Sequence, residues 1–271
     1  MPEGDTVHRY ARALALRLNN RVIDELALHD LGAVSELAGC RVTDVQAMGK
    51  QLLIHTDAGW TLRVHHGMHG TWRIQHAVQP RPRTATVALI AGDVVCLCLR
   101  AYRAELIRSH QLRAHPRLAR LGPDLLEDPP RLDAIVERAM LPAHSLREIA
   151  DVLLDQRVAA GIGNVYKSEA LFQRRIHPRL PAGRLDRAAW HALYQEAARL
   201  LRLNLATRRR TSVPLARRPQ PGSARLWVYE RAGQPCLVCG TGIVRFVQGD
   251  MARSTYYCPG CQPEGSSGSP A

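Results

Sequence analysis

Two cysteine pairs, Cys236-Leu237-Val238-Cys239 and Cys258-Pro259-Gly260-Cys261, stand eighteen residues apart and decide the fold of the end of the chain. Each Cys-x2-Cys pair suits a tight knuckle, and four thiolates complete the tetrahedral shell of one zinc ion. The runs 242–247 and 254–257 predict the strands of a hairpin, with Gln248-Gly249-Asp250-Met251-Ala252-Arg253 at its tip. So small a hairpin does not fold without its metal, so the expected zinc is structural and not catalytic.

The composition of the chain favours a polyanionic partner. Its 271 residues allow two domains, and the net charge of +13, from 37 Lys+Arg against 24 Asp+Glu, makes nucleic acid the first candidate. Only Lys50 and Lys167 are lysine. Where arginine is the default cation, a lysine suggests a use for a compact point charge or a deprotonatable amine. Lys50 precedes a predicted strand, at the edge of a cleft, whereas no role is predicted for Lys167.

Membrane insertion and secretion are not expected. No apolar run approaches the ~18–20 residues of a membrane span, and no signal-peptide pattern opens the chain. The other three cysteines, Cys40, Cys96 and Cys98, lie in apolar, strand-like contexts and are predicted to be buried thiols. These features predict a soluble protein of a reducing compartment.

The first half of the chain changes from a helical to a strand pattern. Residues 2–19 have apolar side chains at helical spacing, so Pro2 would stand at a helix start. Short apolar runs of strand length follow, separated by turn signals, at 42–45, 51–55, 60–64, 71–74, 86–90 and 94–99. Many short strands in series predict an antiparallel sandwich or barrel.

A helical pattern covers residues 132–206, where prolines and glycines separate four predicted helices. Within it, Asp155-Gln156-Arg157-Val158-Ala159-Ala160-Gly161-Ile162-Gly163-Asn164 predicts a helix end, a tight turn and a second helix that begins at Asn164. Backbone amides at such a helix start can bind an anion. A glycine turn between two packed helices with no ligand explains the same residues equally well.

Two further segments are compatible with nucleic acid. Residues 202–231 are strongly basic and lack periodicity, which suits a phosphate-contacting loop or a solvated linker. His65-His66-Gly67-Met68-His69-Gly70 predicts a glycine-bracketed loop with a methionine at its tip. Met68 could wedge between bases or fill the core, and the mixed spacing of the histidines argues against a metal site.

Residues Pro2 and Glu3 combine an unusual amine with a carboxylate. If Met1 is removed, Pro2 carries a free secondary amine, and α-amino groups have a reference pKa near ~7.7–8.0. Its adduct with an aldehyde-level carbon is an iminium that keeps its charge, which promotes bond breaking at neighbouring carbons. Glu3 would act beside it as acid and base. A polar helix start, in which proline occupies the first position, is the alternative.

Taken together, five motifs resemble the bacterial endonuclease VIII/formamidopyrimidine-DNA glycosylase family, on the endonuclease VIII (Nei) side. They occur in the family's order over about residues 2–262: Pro2-Glu3-Gly4; Gly49-Lys50; Asp155-Gln156 with Gly161-Ile162-Gly163-Asn164; Val228-Tyr229 with Gln234-Pro235-Cys236; and Arg253 with Tyr257-Cys258-Pro259-Gly260-Cys261-Gln262. The resemblance implies an enzyme of base excision repair, a DNA glycosylase that also cleaves the strand as an AP lyase by β,δ-elimination.

The resemblance also implies roles for individual residues. Pro2 would attack C1′ of a flipped, damaged nucleotide, and Glu3 would protonate the sugar ring oxygen. Lys50 would contact phosphate and act in the elimination, and Arg253 would grip phosphate and serve the second elimination. The implied DNA contacts are Met68, filling the gap left by the flipped nucleotide, Arg120 and Asn164. The zinc ligands are Cys236, Cys239, Cys258 and Cys261.

The implied partner is double-stranded DNA that contains oxidised bases or abasic sites, bound by a monomer in the bacterial cytoplasm at the nucleoid. Oxidised pyrimidines are favoured because residues 115–124 and 258–262 resemble endonuclease VIII and the Arg-Arg-Phe-Gly wedge of the other branch is not found near residues 100–105. Gly67-Met68 instead resembles the formamidopyrimidine branch. Asp5-Thr6 departs from the family's Pro-Glu at these positions, which leaves base recognition open.

Three rival hypotheses follow from the same residues. The first keeps the chemistry but prefers oxidised purines such as 8-oxoguanine. The second is a non-catalytic, zinc-dependent binder of damaged DNA, which would have no need of Pro2 and Glu3. The third makes Lys50, in place of Pro2, the nucleophile.

The predicted fold class is α+β multidomain. It has an N-terminal helix with an antiparallel β-sandwich, a helix–two-turns–helix domain and a C-terminal β-hairpin zinc finger. The predicted domains are 2–120 (catalytic β-sandwich), 121–145 (interdomain connection), 146–206 (helix–two-turns–helix), 207–234 (basic loop), 235–262 (zinc finger) and 263–271 (disordered tail).

Overall fold

The computed structural model of the chain describes residues 2–30, 32–76, 85–207, 209–217, 222–249 and 252–268. The chain forms two compact units, Met1–Arg120 and Leu121–Ala271. The first unit is a helix with a β-sandwich, and the second contains a helical module and a β-hairpin. Within the described residues, no helix is both long and apolar enough to span a lipid bilayer.

The first unit begins with helix α1, Gly4–Leu18. Its apolar residues recur every three or four positions, so that Val7, Ala11, Leu14 and Leu18 are buried on one face. This face packs against the neighbouring sheet. The helix starts two residues later than the sequence pattern predicts.

The first unit's strands are β1 Glu25–Leu28, β2 Gly32–Ala33, β3 Val42–Met48, β4 Gln51–Thr56, β5 Trp60–His65, β6 Thr71–Gln75, β7 Ala85–Ala91, β8 Val94–Leu99 and β9 Arg103–Arg108. They form one sheet of order β2-β1-β7-β8-β6 and another of order β3-β4-β5-β9, with antiparallel pairing throughout. Leu26 and Val87 of one sheet share a core with Leu52 and Val64 of the other. The predicted sandwich is therefore confirmed.

The second unit contains the helices α2 Leu132–Ala139, α3 Ile149–Leu154, α4 Asn164–Gln173 and α5 Arg187–Leu203. Their apolar faces meet in one core around the buried, stacked rings of Trp190 and Tyr194. The range 132–206 thus contains the four helices that the sequence predicts. Helix α2 lies inside the segment that was expected to be an interdomain connection.

The C-terminal hairpin pairs β10 Val244–Gln248 with β11 Arg253–Tyr257, antiparallel, with Gln248 opposite Arg253. A small core that includes Phe172, Trp227, Val228 and Ile243 lies beneath it. The predicted hairpin is confirmed, although Asp250 and Met251 of its tip lie outside the described residues.

The predicted disordered tail needs correction as far as residue 267. The backbone N–H of His177 donates to the Ser266 carbonyl at 3.1 Å, and Ile176 forms a β-bridge with Ser267. The low-complexity composition of residues 263–271 predicted disorder. Composition does not reveal hydrogen bonds with residues distant in the sequence, such as those with residues 176 and 177. Residues 269–271 lie outside the described part of the chain.

Candidate active site and nucleic-acid interface

Pro2 and Glu3 precede helix α1 and are not part of it. Glu3 is the N-cap, with an extended backbone, and its carbonyl accepts hydrogen bonds from Thr6 N–H at 3.0 Å and Val7 N–H at 3.1 Å. The Glu3 residue is fully buried, whereas Pro2 is half-buried. The interpretation of Pro2 as the first helical residue is therefore wrong. Pro2 stands one residue before the N-cap, and its nitrogen takes no part in the hydrogen bonds that begin α1.

Lys50 lies in the two-residue turn between β3 and β4, after Gly49 with a φ of 58°. Helix α1 packs against both of these strands. Asn20 N–H, just after α1, donates to the Val42 carbonyl at the start of β3 at 2.8 Å, so the start of α1 lies toward the β3–β4 turn. Pro2, Glu3 and Lys50 thus belong to the same end of this helix–sheet layer. The positive φ at the position before Lys50 is a conformation that glycine adopts without strain.

A buried ion pair supports the sheet next to Lys50. The Arg63 guanidinium, 1% exposed, donates to the carboxylate of Glu105 on the paired strand β9 and to Gln51 Oε1 at 2.8 Å. Glu105 also accepts from Arg103 Nε at 2.8 Å and lies 3.2 Å from His115 Nε2. Two arginine cations, Arg63 and Arg103, thus share one carboxylate, which leaves this group with a net charge of +1.

The loop after β5 exposes a methionine between two constrained glycines. Gly67 has a φ of 63°, and a Cβ there would lie 2.7 Å from Tyr102 Cβ, while a Cβ on Gly70 would lie 2.5 Å from the His66 carbonyl oxygen. Met68 between them is 58% exposed. The alternative in which Met68 fills the core is therefore wrong.

Two histidines of this loop are neutral at physiological pH. Burial, together with the charges of Arg63 and Lys50, lowers the pKa of His65 to about 4, and burial lowers the pKa of His66 to about 3. The His66 ring stacks on Tyr10 with centroids 5.3 Å apart. Among the described residues, the cysteine cluster is the group of histidine, cysteine and acidic side chains that lies close enough together to hold a metal ion.

Residues 155–164 form a turn that is held by a side chain. Gln156 Nε2 donates to the carbonyl oxygens of Leu154 and Ile162 at 2.9 and 3.0 Å, and its Oε1 accepts from Gly161 N–H at 3.0 Å. Gly161 has a φ of 110°, in the region that favours glycine. These contacts fix the position at which α4 begins.

Asn164 is the first residue of α4, and only 8% of its surface is exposed. Its Oδ1 is buried without a hydrogen-bond partner in the protein. A buried polar atom without a partner is costly unless a ligand or water satisfies it. The first backbone amides of α4 carry the positive end of the helix dipole, so the start of α4 can receive an anion such as a phosphate.

Asp155 stabilises the end of α3 that leads into this turn. Burial opposes its ionisation, but hydrogen bonds from Arg157, with a further one from Arg147, outweigh it and hold the pKa of Asp155 well below its usual range. Arg157 Nη2 lies 2.6 Å and Arg147 Nη1 3.1 Å from Asp155 Oδ2.

The four predicted zinc ligands converge on one point. The sulfur atoms of Cys236, Cys239, Cys258 and Cys261 all lie within 4.8 Å of one another, with Sγ–Sγ distances of 3.4 Å from Cys239 to Cys258 and 3.9 Å from Cys236 to Cys261. Four thiolates about 2.3 Å from a zinc ion would stand about 3.8 Å apart, so the cluster fits one tetrahedral zinc. With no open coordination position, this zinc is structural.

Two residues of α4, Lys167 and Glu169, connect the helical module to the C-terminal part through contacts with residues distant in the sequence. Glu169 is fully buried, and its carboxylate accepts from the backbone N–H groups of Trp227, Val228 and Tyr229 at 2.8–3.0 Å and from the Ser212 hydroxyl. Burial raises the pKa of Glu169, against the opposing effect of these four donors.

Lys167 is also fully buried. Its ammonium donates to the Ser254 carbonyl at 3.2 Å and to Thr255 Oγ1 at 2.6 Å, both on β11. Lys167, for which the sequence predicts no role, thus makes a buried contact with β11. Its rarity in an arginine-rich chain was the available signal, but the sequence does not reveal its partner.

The remaining predicted residues occupy different parts of the two units. Arg120 is exposed and is the last residue of the first unit, which also holds Pro2, Glu3 and Lys50. Asn164 and the half-buried Arg253, the first residue of β11, belong to the second unit.

Three family models match the chain in series. The formamidopyrimidine-DNA glycosylase N-terminal domain matches residues 1–104, the formamidopyrimidine-DNA glycosylase H2TH domain matches 121–214, and the zinc finger found in FPG and IleRS matches 233–263. A curated relative, endonuclease 8 of Escherichia coli (strain UMN026 / ExPEC), is 33% identical over 97% of this chain and 100% of its own length.

The chain belongs to the formamidopyrimidine-DNA glycosylase/endonuclease VIII family. Members of this family are DNA glycosylase/AP lyases, so the predicted enzyme class, its zinc and the predicted fold are confirmed. The hypothesis of a non-catalytic DNA binder is thereby disfavoured.

Other relatives carry the names of both branches. A probable endonuclease 8 2 of Streptomyces coelicolor is 39% identical, covering 97% of this chain and 94% of its own length. A formamidopyrimidine-DNA glycosylase of Methylococcus capsulatus is 38% identical, covering 86% and 85%. The Lactococcus lactis Fpg in complex with abasic-site DNA has the same fold, with a TM-score of 0.81 at 22% identity over 97% of this chain and 100% of that one.

Proposed function

We propose that this enzyme removes oxidised bases, pyrimidines above all, from double-stranded DNA through a Schiff base on Pro2, and then nicks the strand by β,δ-elimination. It would act as a monomer in the bacterial cytoplasm, at the nucleoid. The observation that carries the proposal is the placement of Pro2: it stands before α1 and beside the buried Glu3, and the helix makes no use of its nitrogen.

In the proposed reaction, the Pro2 amine attacks C1′ of the flipped nucleotide and the bond from C1′ to the base breaks. Glu3 protonates the ring oxygen, so the sugar opens to an iminium on the Pro2 nitrogen. Loss of a proton from C2′ expels the 3′ phosphate, and a second elimination expels the 5′ phosphate. Water finally releases the remaining sugar fragment from Pro2. The first steps require Met1 to be absent, because a peptide nitrogen cannot form this iminium.

Positive groups are proposed to hold the phosphates during these steps. Lys50 lies in the turn between β3 and β4, the two strands on which α1 packs, and the arginines Arg63 and Arg103 around Glu105 add positive charge to this unit. In the second unit, the start of α4 at Asn164 suits a phosphate, and Arg253 is proposed to grip another and to assist the second elimination. Met68, exposed at its loop tip, and Arg120 are proposed DNA contacts.

The preference for oxidised pyrimidines rests on the endonuclease VIII-like segments 115–124 and 258–262. Oxidised purines are the second candidate, because Gly67-Met68 matches the other branch and a relative bearing the formamidopyrimidine name is 38% identical. Single-turnover excision from matched duplexes carrying thymine glycol, 5-hydroxyuracil or 8-oxoguanine separates the two. We expect faster excision of the two pyrimidines; faster release of 8-oxoguanine would overturn the preference and leave the chemistry intact.

A further inference from the structure

Lys167 lies one helical turn after Asn164, in the same helix, and is completely buried. A buried ammonium must have its donors satisfied, since leaving one unpaired costs several times an ordinary hydrogen bond. Two of its acceptors belong to adjacent residues of β11, the Ser254 carbonyl oxygen and Thr255 Oγ1. Arg253 immediately precedes them on the same strand.

The contact continues as a chain of hydrogen bonds across the hairpin. Thr255 Oγ1, which accepts from Lys167, donates to Gln248 Oε1 at 2.7 Å. Gln248 is the residue paired with Arg253 across the hairpin. Its Nε2 in turn donates to the Glu148 carboxylate at the start of α3 and to the Pro178 carbonyl at 3.2 Å.

The tip of the hairpin also approaches α3 closely. Gly249 has a φ of 65°, and a Cβ there would lie 2.6 Å from Asp151 Oδ1 of α3. The helical module therefore holds Gln248 directly, and it holds the strand β11 at Ser254 and Thr255, the two residues that follow Arg253. The contact of Lys167 comes from α4, the helix that begins with Asn164.

We propose that Lys167 is a positioning residue for Arg253. By fixing the β11 backbone at Ser254 to the first turn of α4, it sets the separation between the Asn164 and Arg253 phosphate contacts, so that both engage one backbone together. The inference rests on the phosphate-gripping role of Arg253 in the proposed function. Lys167 does not touch the DNA, because it is fully buried.

The site also accounts for a lysine in a chain whose other cations, Lys50 excepted, are arginine. Two of its acceptors are a carbonyl and a hydroxyl of successive residues, which a compact ammonium with rotatable donors can reach at once. A planar guanidinium has a fixed fork geometry that suits carboxylates and phosphates better.

The test compares Lys167→Met, which keeps the length and removes every donor, with Arg253→Ala and the double variant. Glu169→Gln is the matched control, since it alters another buried polar group of α4 that binds residues 227–229 and not β11. Three quantities are measured on abasic-site duplexes: the ratio of δ- to β-elimination products, the salt dependence of binding, and the zinc content of each protein.

We expect Lys167→Met to retain one zinc and to lower the δ/β ratio in the same direction as Arg253→Ala, while Glu169→Gln leaves the ratio unchanged. Loss of one phosphate contact should reduce the slope of log K against log salt by about 0.9 in both variants. The double variant should match Arg253→Ala within about two-fold, because the two residues act as one unit.

An unchanged ratio and slope in zinc-loaded Lys167→Met would overturn the inference, as would additive effects in the double variant or an equal change in Glu169→Gln. If Arg253→Ala changes neither the δ/β ratio nor the salt slope, the proposed role of Arg253 fails. If Lys167→Met then still changes either quantity, Lys167 does not act through Arg253, and the positioning role is refuted as well. Should Lys167→Met not fold, Thr255→Val, which cuts the link to Gln248, must lower the δ/β ratio; no change there would again refute the inference.

Discussion

Replacing the Glu169 carboxylate by an amide should destabilise the second unit strongly. In Glu169→Gln, one oxygen still accepts two backbone N–H groups, but the other becomes an NH2 that faces the Trp227 N–H and the Ser212 hydroxyl. Each buried donor left without an acceptor costs about 1–3 kcal/mol. The serine hydroxyl can rotate and accept from the amide, so we expect a total of about 2–4 kcal/mol.

For a unit of this size, that loss corresponds to a decrease in melting temperature of about 5–15 °C. Thermal unfolding of the zinc-loaded protein is followed by circular dichroism and by tryptophan fluorescence, to which Trp190 and Trp227 of the second unit contribute. Glu196→Gln is the control: it weakens an ion pair with the half-exposed Arg199, for which we expect a change below about 1 kcal/mol. A Glu169→Gln protein that melts within about 1 °C of the wild type would refute the assignment of Glu169 as the acceptor that holds residues 227–229.

Three further outcomes are expected. Asp155 ionises more readily in the folded protein than in the unfolded chain, so its contribution to the unfolding free energy is present above the unfolded pKa and is lost as pH falls through the lower folded pKa. Asp155→Asn should lower the unfolding free energy by about 1–3 kcal/mol at pH 7 and flatten its dependence on acid pH. An unchanged pH profile of the unfolding free energy in denaturant titrations would contradict this. Removal of zinc by a chelator should abolish DNA binding in a gel-shift assay and unpair β10 and β11, whereas full activity after verified metal loss would rule out the structural role of the zinc. A protein that retains Met1 or an N-terminal tag should bind abasic DNA with near-normal affinity yet fail to cleave it, and cleavage by such a protein would exclude the Pro2 amine.

Local patterns predicted most of the elements that have a strong periodicity. The strand pattern found β3 to β8, and the Cys-x2-Cys spacing found the zinc hairpin, because alternation and ligand spacing are properties of short segments. Strand β9, Arg103-Ala104-Glu105-Leu106-Ile107-Arg108, escaped detection because half of its residues are charged. Its charge is acceptable there because Glu105 pairs with Arg63 across the sheet.

Most of the structural features that could not be predicted from the sequence are contacts of buried polar side chains. Glu169 and Lys167 look like ordinary helix residues, and their acceptors and donors lie 43 or more residues away along the chain. The conformation of the loop that exposes Met68 likewise involves close packing of Gly67 against Tyr102 and of Gly70 against His66. The candidate chemistry of Pro2 and Glu3, in contrast, can be predicted from the sequence, because the two residues are neighbours in the chain.

The most direct measurement of the central claim is the location of the covalent intermediate. Borohydride added during the reaction with an abasic duplex reduces the iminium to a stable adduct, which proteolysis and mass spectrometry assign to one nitrogen of the protein. Wild type is compared with Pro2→Ala and Lys50→Ala. We predict that the wild-type adduct lies on the nitrogen of Pro2 and persists in Lys50→Ala; an adduct on Lys50, or none with active wild-type enzyme, would contradict the account.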